Sequence, residues 1–407
     1  MIDQAIIDGI KKRGRKFEAL LHEIQSGADA SQSTRRQTLE KLQSELNAAS
    51  KIMPTLSAAA KKKKIAELKP ISDQVAILKK ELASTATRTY PNIPRPDVPL
   101  GDDEHENVVL KEVGKKPTLS SPKSYLELVE PRGYIDIKRA AVVSGSRFGY
   151  LLGPVAQLEF ALIQYAQQVV LPHGFTMVIP PVMIKEENMA AMGYLHGEGE
   201  DETYHFEKDK LYLVGTSEQS VGPMHRDETF TPDQLPKRYL SFSTCFRREA
   251  GSYGKDTKGI LRVHQFDKLE MFSFTTPEAS DQEHELLLNI EESLWQGLGI
   301  PYRVLNLCAG DLSWPSARTY DIEAWMPGQG EYREVSSTST TTDYQAKALN
   351  IRVKNGATKS YAHLLNGTAF AIGRTIIAIL ENYQRPDGSI DVPAVLQPFM
   401  GGMKRIE

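Results

Sequence analysis

The apolar residues of this chain change their spacing once, near residue 90, and the change divides it into two kinds of structure. Upstream, Leu39, Leu42, Leu46, Ala49, Met53 and Leu56 recur in steps of three and four, and Leu68, Ile71, Val75, Leu78 and Leu82 repeat the pattern. Such spacing lines each series along one stripe of a helix. Residues 58–64, Ala-Ala-Ala-Lys-Lys-Lys-Lys, separate the two series. The pattern predicts an antiparallel helical hairpin, short or kinked because Pro54 and Pro70 interrupt it. Residues 2–10 and 17–24 read as two shorter helical pieces before it. Downstream, residues 90–99 carry Pro91, Pro94, Pro96 and Pro99 and are expected to be extended, with an acidic stretch after them. Short strands are then expected near 176–181, 211–214, 239–242, 269–274 and 302–307. Helices are expected at 158–170, 282–298 and 375–382, and the Gly/Glu-rich residues 193–202 read as a mobile loop. Strands set among helices without strict alternation predict an α+β fold with an antiparallel sheet. Three regions follow: a helical arm over 1–88, a linker over 89–118 and a larger domain over 119–407.

Length and charge agree with that division. At 407 residues the chain suits one large domain and a smaller one. Its formal charge of −3 hides an asymmetry: residues 31–90 hold 12 Lys/Arg against 5 Asp/Glu, a local +7, which leaves −10 elsewhere. A lysine run is ordinarily a solvated helix face, but an excess gathered in one segment favours contact with an RNA backbone. The two cysteines, Cys245 and Cys308, argue against a disulfide framework or a cysteine-ligated structural zinc, and for a reduced, cytoplasmic setting. No apolar run reaches the ~18 residues of a membrane helix, and no signal peptide is expected.

The chemistry concentrates in residues 246–270. Phe246-Arg247-Arg248-Glu249 precedes a Gly/Asp turn, and Arg262-Val263-His264-Gln265-Phe266-Asp267-Lys268-Leu269-Glu270 follows it. Guanidinium groups offer forked donors to phosphate, an aromatic face can cover a purine, and a carboxylate can accept from an exocyclic amine. Downstream, Asn366-Gly367-Thr368-Ala369-Phe370-Ala371-Ile372-Gly373-Arg374 runs into an apolar helix. Together the two segments point to an ATP-using enzyme. Gly254-Lys255-Asp256-Thr257 is not a phosphate-binding P-loop, because Glu249 stands where that motif needs its first glycine and Asp256 follows the lysine.

These segments resemble motifs 2 and 3 of the class II aminoacyl-tRNA synthetases, and the helix near 158–170 with the strand ending at Pro180-Pro181 resembles motif 1. Across nearly the whole chain the sequence is similar to the bacterial-type seryl-tRNA synthetase family. The match runs through Pro91-Asn92-Ile93-Pro94, Ser144-Gly145-Ser146-Arg147-Phe148, Thr216-Ser217-Glu218, His225-Arg226-Asp227-Glu228, Val263-His264-Gln265-Phe266 and Tyr320-Asp321-Ile322-Glu323.

The resemblance implies a class II catalytic domain, a homodimer formed through motif 1, and transfer of serine, activated with ATP and Mg2+, to tRNA(Ser); selenocysteine tRNA is a further substrate it leaves open. By the same resemblance Arg247 meets the α-phosphate and Glu249 the adenine amine. Phe266 and Arg374 flank the base, and Glu334 and Ser337 hold magnesium and phosphate. Arg248, Val335 and Ser336 fall in the ATP-binding segments. Thr216, Ser217, Glu218, Glu270 and Thr368 match serine-binding positions. Arg35, Arg36, Lys61, Lys62, Lys63 and Lys64 are expected to touch tRNA phosphates through the arm. The sequence departs from the family in residues 338–342, where threonines replace the usual Cys, Asn and Cys, and at Tyr344, where Phe is usual. Two rival readings remain: a ligase that loads an amino acid onto a carrier protein, against which the arm counts, and a catalytically silent paralogue, against which both motif arginines count.

Overall fold

The computed structural model describes residues 4–25, 30–53, 57–86, 90–196, 198–250 and 258–407. The chain forms two compact units, 1–93 and 94–407.

The first unit is helical. Helices α1 (Gln4–Lys12) and α2 (Glu18–Gln25) precede two long helices that pack against each other, α3 (Ala30–Ile52) and α4 (Ala58–Ala86). Ala49, Val75 and Leu78, all from the heptad series, are buried. The break between the long helices is shorter than the sequence suggests. Ala58 to Lys64 already belong to α4, which suits the high helix propensity of alanine and lysine. Pro70 sits inside α4 without ending it, whereas Pro54 lies outside the described residues. Lys64 Nζ pairs with Glu67 at 3.2 Å and Lys61 is half-buried; the side chains of Arg35, Arg36, Lys62 and Lys63 lie outside the described residues. Arg13 is fully buried and ties α1 to the far end of the unit. Its Nε and Nη2 donate to the Asn92 carbonyl at 3.0 and 2.9 Å.

The second unit is built on an eight-stranded sheet. Its strands are β1 (Val108–Val113), β2 (Phe175–Val178), β3 (Lys237–Phe246), β4 (Gln265–Thr275), β5 (Tyr302–Asn306), β6 (Arg318–Met326), β7 (Glu331–Thr340) and β8 (His363–Ala371). Their order is β1-β5-β6-β7-β8-β4-β3-β2, and every pairing is antiparallel except β2 with β3. The expected α+β class with an antiparallel sheet is the one observed. Two expectations fail at its edges. Part of the expected linker is the edge strand β1, whose Val108-Val109-Leu110 run has the β-branched character of a strand. Residues 193–202 end in a short helix, Glu198–Glu202.

Three helices cover one face of the sheet: α5 (Gly153–Val170), α6 (Ser280–Leu298) and α7 (Ile372–Asn382). Each turns an apolar stripe inward, as with Leu158 and Leu162 of α5, Leu287 and Leu294 of α6, and Ile376 and Ile379 of α7, all fully buried. Phe370 joins the layers, its ring 6.2 Å from Tyr165 and 6.0 Å from Trp295. Trp295 is buried with its indole N–H on Ser336 Oγ at 3.1 Å. Truncating a buried tryptophan of this kind costs about 3–5 kcal/mol.

One carboxyl is out of place in that layer. Glu291 of α6 is fully buried beneath the sheet, and among the described residues neither oxygen has a hydrogen-bond partner. It lies against Gly367, where an added Cβ would meet Glu291 Oε1 at 2.8 Å. Burial, and then the charges of Glu270 and Asp321, hold its pKa well above 4.5. The folded protein therefore keeps a proton that the unfolded chain releases, and stability falls as pH rises above about 4.5. Glu291→Gln is expected to raise the thermal midpoint near neutral pH. The gain should grow with pH by at most about 1.4 kcal/mol per unit and vanish as pH approaches 4.5. Melts of both proteins across pH check this, and a pH-independent difference would contradict it.

Candidate functional site

The face of the sheet opposite the helices carries a cavity of about 550 Å³, lined from β4, β7 and β8, from the segment after β3, and from residues 194–219 and 313–316. Strand period explains the line along β4. Phe266, Lys268 and Glu270 fall on the cavity side, while Leu269 and Met271 are fully buried in the helical layer.

Two extra residues adjust the neighbouring strands. Leu269 faces Phe370 and Glu270 faces Thr368, so Ala369 is a bulge. Thr368 is thereby opposite Glu270, and its hydroxyl donates to Glu270 Oε2 at 3.0 Å. On β6 and β7, Ile322 faces Ser336 and Glu323 faces Glu334, so Val335 is a second bulge. In a regular strand Glu334 and Ser337 would point to opposite faces; the bulge lets both reach the cavity.

At one end lie two carboxyls. Glu270 is almost completely buried and contacts Lys268 Nζ as well as Thr368. Glu218 is also buried, and its Oε1 accepts from the Tyr194 hydroxyl. Burial and the neighbouring Glu270 charge push Glu218 up to about 7, with Lys268, Tyr194 and Arg247 opposing.

The other parts are cationic and aromatic. The Arg247 guanidinium lies 5.3 Å from the Phe266 ring centre and its Nε donates to the Gly215 carbonyl at 3.2 Å. Glu249 has a left-handed backbone, φ 54°, unusual for a residue with a side chain. The Glu202 carboxylate accepts its N–H at 2.8 Å, and Arg262 Nη1 donates to Glu249 Oε2 at 2.9 Å. Glu334 is open to the cavity, and Arg374 Nη1 donates to its Oε2 at 3.0 Å and to its carbonyl at 2.8 Å. Burial opposes ionisation of Glu334, but Arg374, Arg247 and Lys268 overcome it and hold its pKa below the usual value. Arg247 and Lys268 thus act on both ends of the cavity.

Of the expected site residues, Arg247, Glu249, Phe266, Glu334, Val335, Ser336, Ser337 and Arg374 line the cavity, as do Thr216, Glu218, Glu270 and Thr368. Two do not. Arg248 is turned away, its Nε on the Thr203 carbonyl at 3.0 Å and its guanidinium 5.0 Å from the Tyr204 ring. Ser217 is fully buried behind the cavity wall, with Oγ 2.6 Å from Ser241 Oγ. Residues 251–257, within the turn that follows Glu249, lie outside the described residues. Sequence reading missed Tyr194, Glu202, Arg262 and Lys268, all in the lining. Arg262 and Lys268 stood inside the quoted motif, and the period-two position of Lys268 between Phe266 and Glu270 was the available signal. Tyr194 and Glu202 carried none.

The described residues include no helix long and apolar enough to cross a membrane. A model of the tRNA synthetase class II core domain (G, H, P, S and T) matches residues 203–383. The serine–tRNA ligase of Acidothermus cellulolyticus is 50% identical over 311 residues, 76% of this chain and 74% of its own. That of Roseiflexus sp. is 42% identical and covers 100% of this chain and 94% of its own. The crystal structure of seryl-tRNA synthetase from Pyrococcus horikoshii complexed with ATP superposes with a TM-score of 0.85 at 37% identity, covering 100% of this chain and 99% of that one. With identities this high over most or all of its length, and with this cavity on a sheet of the same fold, the chain belongs to the serine–tRNA ligase family.

Proposed function

We propose that the cavity joins L-serine to ATP, giving seryl-adenylate and pyrophosphate, and that the seryl group then passes to the 3′ end of tRNA(Ser). The reading rests on one observation above the others: a single cavity links a guanidinium and aromatic end to a buried carboxyl end, with Arg247 and Lys268 acting on both.

Serine's carboxylate is ionised at neutral pH and needs no general base. Its oxygen attacks the α-phosphorus, the new O–P bond forms, and pyrophosphate leaves with the electron pair of the broken bond. The protein's task is alignment and neutralisation of charge at the pentacoordinate phosphorus. Arg247 suits the α-phosphate and Phe266 one adenine face. Glu249 suits the exocyclic amine and Arg374 the outer phosphates. Glu334 and Ser337 offer hard oxygen donors, and Glu334 is held ionised. A magnesium ion in such a site would be held mainly by ATP phosphates. That ion, when bound, would supply further positive charge to the phosphates. Glu270 and Thr368 suit the serine hydroxyl. Alanine would leave part of their hydrogen-bonding capacity unused, a penalty that reaches about 10⁴-fold in sites of this type.

The arm and the dimer belong to the same reading. The basic excess of residues 31–90 favours phosphate contacts from the helical hairpin, which would position tRNA without reading bases. Phe160 and Ile179, on or next to the motif 1 elements, are 65% and 77% exposed. Exposed apolar side chains of this size favour a partner surface, here a second copy of the chain. The same reading expects the enzyme in the cytoplasm.

Serine should drive exchange between pyrophosphate and ATP without tRNA, and no exchange from folded protein would overturn the reading. Arg247→Ala should lower that exchange by about 10²-fold or more, whereas Arg248→Ala, whose guanidinium is turned onto Tyr204, should leave it within a few fold. Comparable losses in the two variants would contradict the assignment of Arg247. Removing residues 31–84 should spare exchange and abolish charging of tRNA(Ser); full charging by the shortened protein would refute the role of the arm.

A further inference from the structure

Beyond the Val335 bulge, strands β6 and β7 set two polar pairs side by side in the cavity wall. Ser337 faces Asp321 across the ladder, and Ser339 faces Thr319. Both serines line the cavity, but their partners differ in kind. Thr319 Oγ1 and Ser339 Oγ lie 2.8 Å apart, and either hydroxyl can be the donor. An ionised carboxyl can only accept, so the pair of Ser337 and Asp321 has a direction. Burial, and then the charge of Glu334, raise the pKa of Asp321, while the hydrogen bond from Ser337 lowers it. A bond that favours the charged carboxyl is one in which the carboxyl accepts and the serine donates.

That direction decides what Ser337 can offer the cavity. A serine oxygen carries one proton and two acceptor lone pairs. If the proton turns into the cavity, the hydroxyl is a donor, and phosphate oxygens are its natural partners. If the proton is held in the wall, the oxygen faces the cavity as an acceptor, the form in which it suits a hard cation. The sheet keeps Asp321 beside Ser337. On the other side of Asp321 the ladder brings Leu305, buried with Val98, Leu307, Ala309 and Leu312, whose side chain has no polar group. Asp321 Oδ1 is buried with no hydrogen-bond partner among the described residues. The charges that bear on Asp321 are those of Glu334, Asp311 and Glu323, all carboxyls, and a cation beside Glu334 would offset their repulsion.

We propose, on the reading that Glu334 and Ser337 hold the magnesium ion of ATP, that Asp321 is a positioning residue for that ion: it keeps the Ser337 proton in the wall, so that Ser337 meets the cation as an acceptor. Asp321 acts through Ser337 and has no contact of its own with ATP. The other serines of the strand lack this arrangement. Ser336 Oγ accepts from the Trp295 indole, and Ser339 is paired with a hydroxyl that can donate as readily as accept. The carboxyl opposite Ser337 is thus what sets it apart from its neighbours.

The test compares two affinities measured by calorimetry without serine: ATP with saturating Mg2+, and ATP in a chelator without metal. Asp321→Ala removes the acceptor. Asp321→Thr replaces it with a hydroxyl, a partner that the adjoining Thr319 and Ser339 show the sheet accommodates. Each variant is expected to bind Mg2+-ATP about tenfold more weakly, the loss usual when a group behind a metal ligand is removed, and to bind metal-free ATP as the wild type does. In a Ser337→Ala background neither substitution should weaken Mg2+-ATP further, because both act through the same oxygen. Unchanged affinity for Mg2+-ATP, equal losses with and without metal, or the same loss in both backgrounds would overturn the proposal. If Asp321→Ala does not fold, Asp321→Thr decides. Should Ser337→Ala alone leave Mg2+-ATP binding unchanged, the placing of the ion on Ser337 fails instead.

Discussion

Two single-residue bulges, at Val335 and Ala369, decide which side chains the cavity receives. Without the first, Glu334 and Ser337 would face opposite sides of the sheet. Without the second, Thr368 would not oppose Glu270, and Ala371 would change faces. Each bulge also keeps the helical layer intact, since Phe370 and Ser336 still point inward, to Trp295 in both cases. The core and the site are therefore one design: a residue added to re-aim a polar side chain must leave the apolar ones in register.

The charges placed by that register work at short range and in opposite senses. Glu334 is held ionised by Arg374, Arg247 and Lys268, against the cost of its burial. Glu218, with no ion-pair partner, is pushed the other way by burial and Glu270. Each carboxyl is tuned by what is absent beside it as much as by what is present, and Arg247 and Lys268 in the middle oppose charge build-up at both ends.

How much of this was legible in the sequence follows from which periodicities survive burial. The long helices of the arm and the helices 153–170 and 280–298 showed in apolar spacing because each has one wet and one dry side. Strand β4 showed through Leu269, Met271, Phe272 and Phe274, read as a strand over 269–274 within the longer strand Gln265–Thr275. Strand β7 did not show: residues 331–340, Glu-Tyr-Arg-Glu-Val-Ser-Ser-Thr-Ser-Thr, are polar on the cavity face and hydroxyl-rich on the other. A strand that lines a polar cavity carries no alternation to read. The site residues named by motif were mostly found in the lining, because a motif reports chemistry. Arg248 and Ser217 were misplaced because adjacency in a motif says nothing about which side of the chain a residue faces. Tyr194 and Glu202 come from a loop whose path depends on Gly193 and on the contacts of Arg248 and Glu249, neither of which leaves a local signature.

The threonines of residues 338–342 replace residues that the family usually places there, and they would threaten substrate recognition if their hydroxyls entered the cavity. Their hydrogen bonds run elsewhere. Thr338 Oγ1 donates to the Asn366 carbonyl at 2.8 Å, Thr341 Oγ1 to the Leu364 carbonyl at 3.0 Å, and Thr340 Oγ1 accepts from the Thr342 N–H at 3.2 Å. All three are buried, and each satisfies backbone groups where β7 meets β8 and turns away. Thr342 itself has φ 48°, a left-handed turn that the Thr340 hydroxyl supports. Of residues 336–342, those that line the cavity are Ser336, Ser337 and Ser339. The substituted positions therefore fasten the strand pair that carries Thr368. Glu270, Thr368, Thr216 and Glu218 line that cavity as well.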